Sequence, residues 1–143
     1  MHALLVSHAA LTLVLCGLIW TIQVVHYPLF ARVGADRYVA YQAGHGTRIT
    51  ALVAPLMLAE VGTAGVLVYL SPGTLTWLGA ALLAVVWLST ALFQVPQHAR
   101  LEHGFDAAAH RRLVATNWVR TMAWTARGLV VMRLLLDAMS RAP

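Results

Sequence analysis

The sequence predicts an all-α integral membrane protein, a bundle of four transmembrane helices forming one domain over residues 1–143. Three observations carry that expectation. Sixty per cent of the residues are hydrophobic and 10% are charged, with a mean hydropathy of +0.73, more apolar surface than a soluble domain of this size can bury. Four apolar runs, residues 3–25, 49–70, 75–95 and 113–136, each approach the roughly 20 residues that cross a bilayer. The connections between them are punctuated. Ser71-Pro72-Gly73-Thr74 reads as a tight uncharged turn, and the other two are longer and carry arginine.

The first run lacks a basic leader and a small-residue cleavage site, so it is expected to be a retained helix. Thr12, Cys16, Trp20, Gln23 and His26 recur at spacings of four and three and form one stripe. His26 precedes Tyr27-Pro28, where the helix is expected to end. Both rings suit an interfacial belt, and His26 also suits a ligand. Cys16 is the sole cysteine, so no internal disulfide is available. The first link holds Arg32, Arg37 and Arg48; residues 35–43 are expected to form a short interfacial helix capped by Asp36.

The second run places Glu60 at its middle, with Gly62 and Gly65 as small residues suited to close helix packing. In the third, Trp77 marks the outer interface and Gln94-Val95-Pro96-Gln97-His98 closes the inner end. A polar link follows with Arg100, His103, His110, Arg111 and Arg112. His103 and His110 read as solvated, and Asp106 as the cap of a second interfacial helix over residues 106–113. The fourth run is the unusual one. At 100° per residue, Asn117, Arg120, Thr121, Trp124 and Arg127 share a stripe on a helix that then turns almost wholly apolar. Ionisable groups within a membrane helix mark a functional site by default.

All ten basic residues are arginine, against five acids, for a net charge of +5. In such a chain the excess speaks of topology rather than nucleic acid. Basic short loops stay in the cytoplasm, so both long links are expected inside a bacterial inner membrane and both termini outside; Arg133 and Arg141 run against this. The halves also align. Pro28 to Asp36 matches Pro96 to Asp106 with a two-residue insertion, Trp20 answers Trp87, and His45-x-x-Arg48 answers Asn117-x-x-Arg120. Two tandem two-helix repeats would be related by a pseudo-twofold axis along the membrane normal.

Several chemistries are excluded. The chain has no Gly-rich phosphate loop, no Cys-x-x-Cys and no His-Glu-x-x-His, and Glu60 lacks the companion acids of a di-iron bundle. Rings of like groups through the full depth, which a channel needs, are also missing. What survives is a set of imidazoles, amides and arginines at one depth. His26, His45 and His98 are candidate metal or haem ligands, Gln94 and Asn117 polar neighbours, and Arg48 and Arg120 anion clamps. Trp118 and Trp124 are candidate walls of a flat ligand. Glu60 and Arg127 are expected to form an ion pair that fixes register, because each alone in hydrocarbon costs roughly 2.5 to 3.5 kcal/mol.

With its His26-Tyr27-Pro28 and its Asn117-Trp118-Val119-Arg120-Thr121, the chain resembles a group of uncharacterised bacterial four-helix membrane proteins. More distantly, through Val95-Pro96 and Trp118-Val119-Arg120-Thr121, it is similar to the anthrone-oxygenase-like family of small four-helix membrane proteins. The resemblance covers the whole chain by architecture and about a third of it by motif. It implies oxygenase chemistry and a site role for Arg120. The leading expectation is a site near the cytoplasmic face for haem b or a transition metal, serving redox chemistry on a lipophilic substrate. The alternatives are a non-enzymatic binder of a small amphiphile or lipid and a structural subunit, in either case with the option of a homo-oligomer.

Overall fold

A computed structural model describes residues 1–140; Arg141 lies outside the described residues. Four helices fill them, α1 (His2–Arg32), α2 (Ala35–Leu70), α3 (Thr74–Leu101) and α4 (Ala107–Ser140), and no strand is present among these residues. The first three are long and apolar enough to cross a membrane. Each helix outruns its apolar segment. The two stretches expected as separate interfacial helices are instead the first turns of α2 and α4, which run on because no proline interrupts residues 35–48 or 107–113.

Two prolines shape the bundle. Pro28 and Pro96 do not end α1 and α3; each follows a five-residue π turn, Ile22–His26 in α1 and Thr90–Gln94 in α3. A proline ring collides with the carbonyl four residues earlier and offers that carbonyl no N–H. Widening the preceding turn moves the carbonyl aside, so the helix continues. Both wide turns and both prolines share one offset along the chain. Tyr27, just beyond the first turn, and Gln94, the last residue of the second, are buried, whereas Trp20, before the first turn, is part-exposed rather than on the buried stripe with Thr12 and Gln23.

The ends follow local chemistry. Asp106 accepts N–H bonds from Ala108 and Ala109 at 2.8 and 3.1 Å and caps α4. Asp36 is not a cap: Gly34 precedes α2, and the Asp36 carboxylate lies 3.6 Å from Arg37 on the surface. Gly104, at φ +139°, takes the left-handed turn between α3 and α4. Between α2 and α3 the Gly73 N–H donates to the Thr76 hydroxyl at 3.0 Å, closing the short turn.

Helix α4 packs mainly on α1 and α3, and α2 also touches both, so α1 and α3 lie on one diagonal and α2 and α4 on the other. The apolar core runs through Leu15, Ile19, Phe30, Val86, Leu101, Leu113 and Trp124. The polarity of α4 is inverted. Asn117, Arg120, Thr121 and Arg127 are buried while Met122, Leu129, Met132 and Leu136 face outward. Gly62 and Gly65, expected at helix contacts, meet nothing within 4 Å, whereas Gly79 lies 3.7 Å from the α4 side chains Arg127 and Val130 when a Cβ is placed on it.

Candidate functional site

The inner ends of the helices hold the imidazoles. His26 Nε2 and His45 Nδ1 lie 2.8 Å apart, sharing one hydrogen bond between α1 and α2. His45 stacks on His98 of α3 with ring centroids 5.7 Å apart. His98 is held at both nitrogens, by the Tyr27 hydroxyl at 2.9 Å and by Gln42 Nε2 at 3.0 Å. The three rings therefore converge, but largely on one another. Among the described residues no three His, Cys, Asp or Glu side chains form a metal-holding group. The His45 Nε2 atom is buried without a partner, while His26 is engaged through Nε2 alone.

A second cluster is built on α4. Asn117 Nδ2 donates to Gln23 Oε1 at 2.7 Å, Gln23 Nε2 donates to the Val114 carbonyl at 3.2 Å, and Arg120 Nη1 donates to Asn117 Oδ1 at 3.1 Å. The Arg120 guanidinium lies 5.2 Å from the Trp124 ring centre and faces the Tyr27 hydroxyl. It has no carboxylate partner among the described residues, although only 6% of the residue is exposed. Its Nε has no acceptor.

Arg120 forms part of a cleft of about 500 Å³ between α2 and α3. Gln42, Gln94, His98 and Tyr27 line its inner end, Met57, Leu58 and Trp87 line its apolar length, and the exposed Glu102 stands at its rim. Gln42 Oε1 and Gln94 Oε1 lack partners as well. Three helices thus each contribute a buried polar atom with nothing to bond to the wall of a single cleft. Native proteins rarely leave such groups orphaned. The volume lies within the range usual for small-molecule sites.

The third cluster lies further out. Glu60 Oε1 accepts from Arg127 Nε at 3.1 Å and Nη2 at 2.9 Å and from the Thr12 hydroxyl at 2.8 Å, and Oε2 accepts from Trp124 Nε1 at 3.1 Å. Arg127 Nη1 also donates to the Gly79 carbonyl. Pair and partners come from all four helices, and neither charged side chain is more than 1% exposed.

Residue by residue, the structure groups His98, Gln94 and Arg120 on the cleft, with Asn117 and Trp124 behind Arg120. His26, His45 and Arg48 line a separate groove on the outer face of α1 and α2, so Arg48 does not join Arg120. Trp118 is not a site wall. It projects outward, edge-on to Trp20 at 5.6 Å. His110 is not solvated: its Nε2 bonds the Tyr27 carbonyl at 2.8 Å. Sequence reasoning missed Tyr27, Gln42, Thr116 and the buried His8, which bonds Thr63 at 2.8 Å. Gln42 three residues before His45, one turn away on the same helix, was the available signal.

No family model, curated protein or solved structure matches this chain.

Proposed function

We propose that this chain binds a small anionic amphiphile inside the bilayer, with the α2–α3 cleft as its seat and Arg120 as the anion clamp. The observation that carries this is the contrast between two buried arginines two turns apart on α4. Arg127 has Glu60; Arg120 has no acid, and its Nε is free at a cleft. A buried guanidinium without a counter-charge is costly, and a ligand carboxylate or phosphate supplies the missing partner through a charge-assisted bond. The apolar wall of the cleft suits the body of the amphiphile. In this reading α4 is a fourth membrane span, its outward apolar face against lipid, and the matched π turns mark two tandem repeats about an axis along the membrane normal. Positive-inside bias sets the cleft near the cytoplasmic face of a bacterial inner membrane, with both termini outside.

A second reading, haem b or a transition metal at the imidazoles for oxygen or redox chemistry, is favoured by the unpartnered His45 Nε2 and by the resemblance to the anthrone-oxygenase-like family. It would use His45 Nε2, since His45 Nδ1 and His26 Nε2 are engaged with each other and both His98 nitrogens are bonded. The two readings separate on the detergent-purified protein. Tetradecanoate should quench tryptophan fluorescence at least tenfold more tightly than its methyl ester, and Arg120→Gln should abolish that preference. Equal binding of acid and ester removes the anion clamp. A Soret band or stoichiometric metal, lost in His45→Ala, establishes the alternative.

A further inference from the structure

We infer that the occupant of the α2–α3 cleft carries a hydrogen-bond donor, a hydroxyl, beside its anion, so that the head group is of the hydroxy-acid or glycerol-phosphate type. This rests on the anion-clamp reading and deepens it. The argument begins at Thr116. Its hydroxyl donates to the Arg112 carbonyl, one turn back on α4, at 2.7 Å. That fixes its single proton, so towards Gln94, 3.0 Å away, the Thr116 oxygen can only accept. Gln94 must therefore present its amide nitrogen to Thr116. The orientation of this amide, which contacts elsewhere often leave open, is set by the threonine.

The consequence is at the other end of the amide. Gln94 Oε1 is an unpartnered, buried acceptor on a residue that lines the cleft and is 2% exposed. A bare carboxylate or phosphate diester held by Arg120 would bring a second acceptor towards it and leave both unsatisfied. A hydroxyl on the same head group satisfies it. Gln42 differs. Its partner is His98, whose other nitrogen meets Tyr27, and either imidazole tautomer is compatible with that chain. Its free end can thus serve as donor or acceptor. Arg120 demands an anion, Gln94 demands a donor, and Gln42 follows whichever the ligand offers.

The test uses matched pairs differing only in the hydroxyl, titrated into the purified full chain and read by tryptophan fluorescence. For a carboxylate source the pair is 3-hydroxytetradecanoate against tetradecanoate; for a phosphate source it is phosphatidylglycerol against phosphatidylmethanol, in lipid nanodiscs. One satisfied hydrogen bond predicts a preference of about five- to tenfold for the hydroxylated member of at least one pair. The pair that shows it identifies the source. Thr116→Val frees the Gln94 amide to turn its nitrogen to the cleft, so the preference should fall below about twofold while the plain acid binds at least as well. Gln94→Leu should also erase the preference. Tight binding of both members with no preference overturns the hydroxyl and leaves the anion clamp standing. Loss of affinity for every anion, with the esters unaffected, removes the clamp itself. A preference that survives Thr116→Val overturns the assignment to Gln94.

Discussion

Arg120 and Arg127 share a helix face, yet one is a structural charge and the other is not, and the difference is a single carboxylate. Removing that carboxylate makes the comparison quantitative. Glu60→Gln leaves Arg127 buried without a counter-charge, and breaking such a pair costs about 3–5 kcal/mol. Glu60→Leu combined with Arg127→Met removes both charges and should recover a large part of the loss, because an apolar pair of similar volume does not need desolvating ions. Urea unfolding in detergent, followed by far-UV circular dichroism, ranks the variants; a double mutant no more stable than Glu60→Gln would show that the ion pair does not set the stability of the bundle. Both charges were legible in the sequence because they interrupt apolar runs. Tyr27 and Gln42 were not. One sits at a His-Tyr-Pro that looks like a helix end, and the other in a stretch that reads as a short interfacial helix apart from the bundle.

For the elements, the two π turns connect proline chemistry to the site. Sequence alone places a helix end at each proline, because the wide turn that rescues the helix has no residue signature. Substituting Pro96→Ala restores an N–H to the Leu92 carbonyl and removes the clash that holds the turn open. The turn is then free to close to ordinary α geometry, swinging His98 away from Tyr27 and Gln42. The expected result is unchanged or raised thermal stability with at least tenfold weaker binding of tetradecanoate. Unaltered affinity would mean that packing, rather than proline, maintains the turn. The cap of α4 gives a pH prediction. N–H bonds from Ala109 and then Ala108 hold the Asp106 carboxyl below its ordinary value of 3.8. A depressed folded-state pKa stabilises above the unfolded value and is lost as pH falls through the folded one. Wild type should thus lose a small part of its stability below about pH 4 that Asp106→Asn never had, and Asp106→Ala should melt lowest at neutral pH. The comparison is a set of melting curves between pH 3 and 7.

At the scale of the whole molecule, the bundle buries polar clusters beside its apolar core and shows an apolar exterior, and α4 takes that inversion furthest. Its five arginines and buried amide lower its mean hydropathy, while the face it shows outward is leucine, methionine and valine. The sequence made the helix count and the polar stripe readable for one reason: both are periodic signals. Beyond the Glu60–Arg127 pair, which polar groups meet across helices was not readable, because lateral neighbours depend on the rotation that the π turns introduce. The same inversion decides how α4 lies in the bilayer. If it spans, Ser140 must emerge on the same side as the α2–α3 turn at Ser71, and His103, between α3 and α4, on the opposite side. Single cysteines at these exposed positions, Ser71→Cys, His103→Cys and Ser140→Cys in a Cys16→Ser background, distinguish the arrangements with a membrane-impermeant maleimide applied to intact spheroplasts. Labelling at 71 and 140 with protection at 103 is the outcome expected from arginine-rich links held inside. Protection at 71 and 140 with labelling at 103 would reverse the orientation and move the cleft to the outer face, with four spans retained. Labelling at 71 alone would place Ser140 and His103 together on the inner side. In that case α4 lies along the membrane instead of crossing it, and Arg120 reaches its anion from the interface rather than from within the bundle.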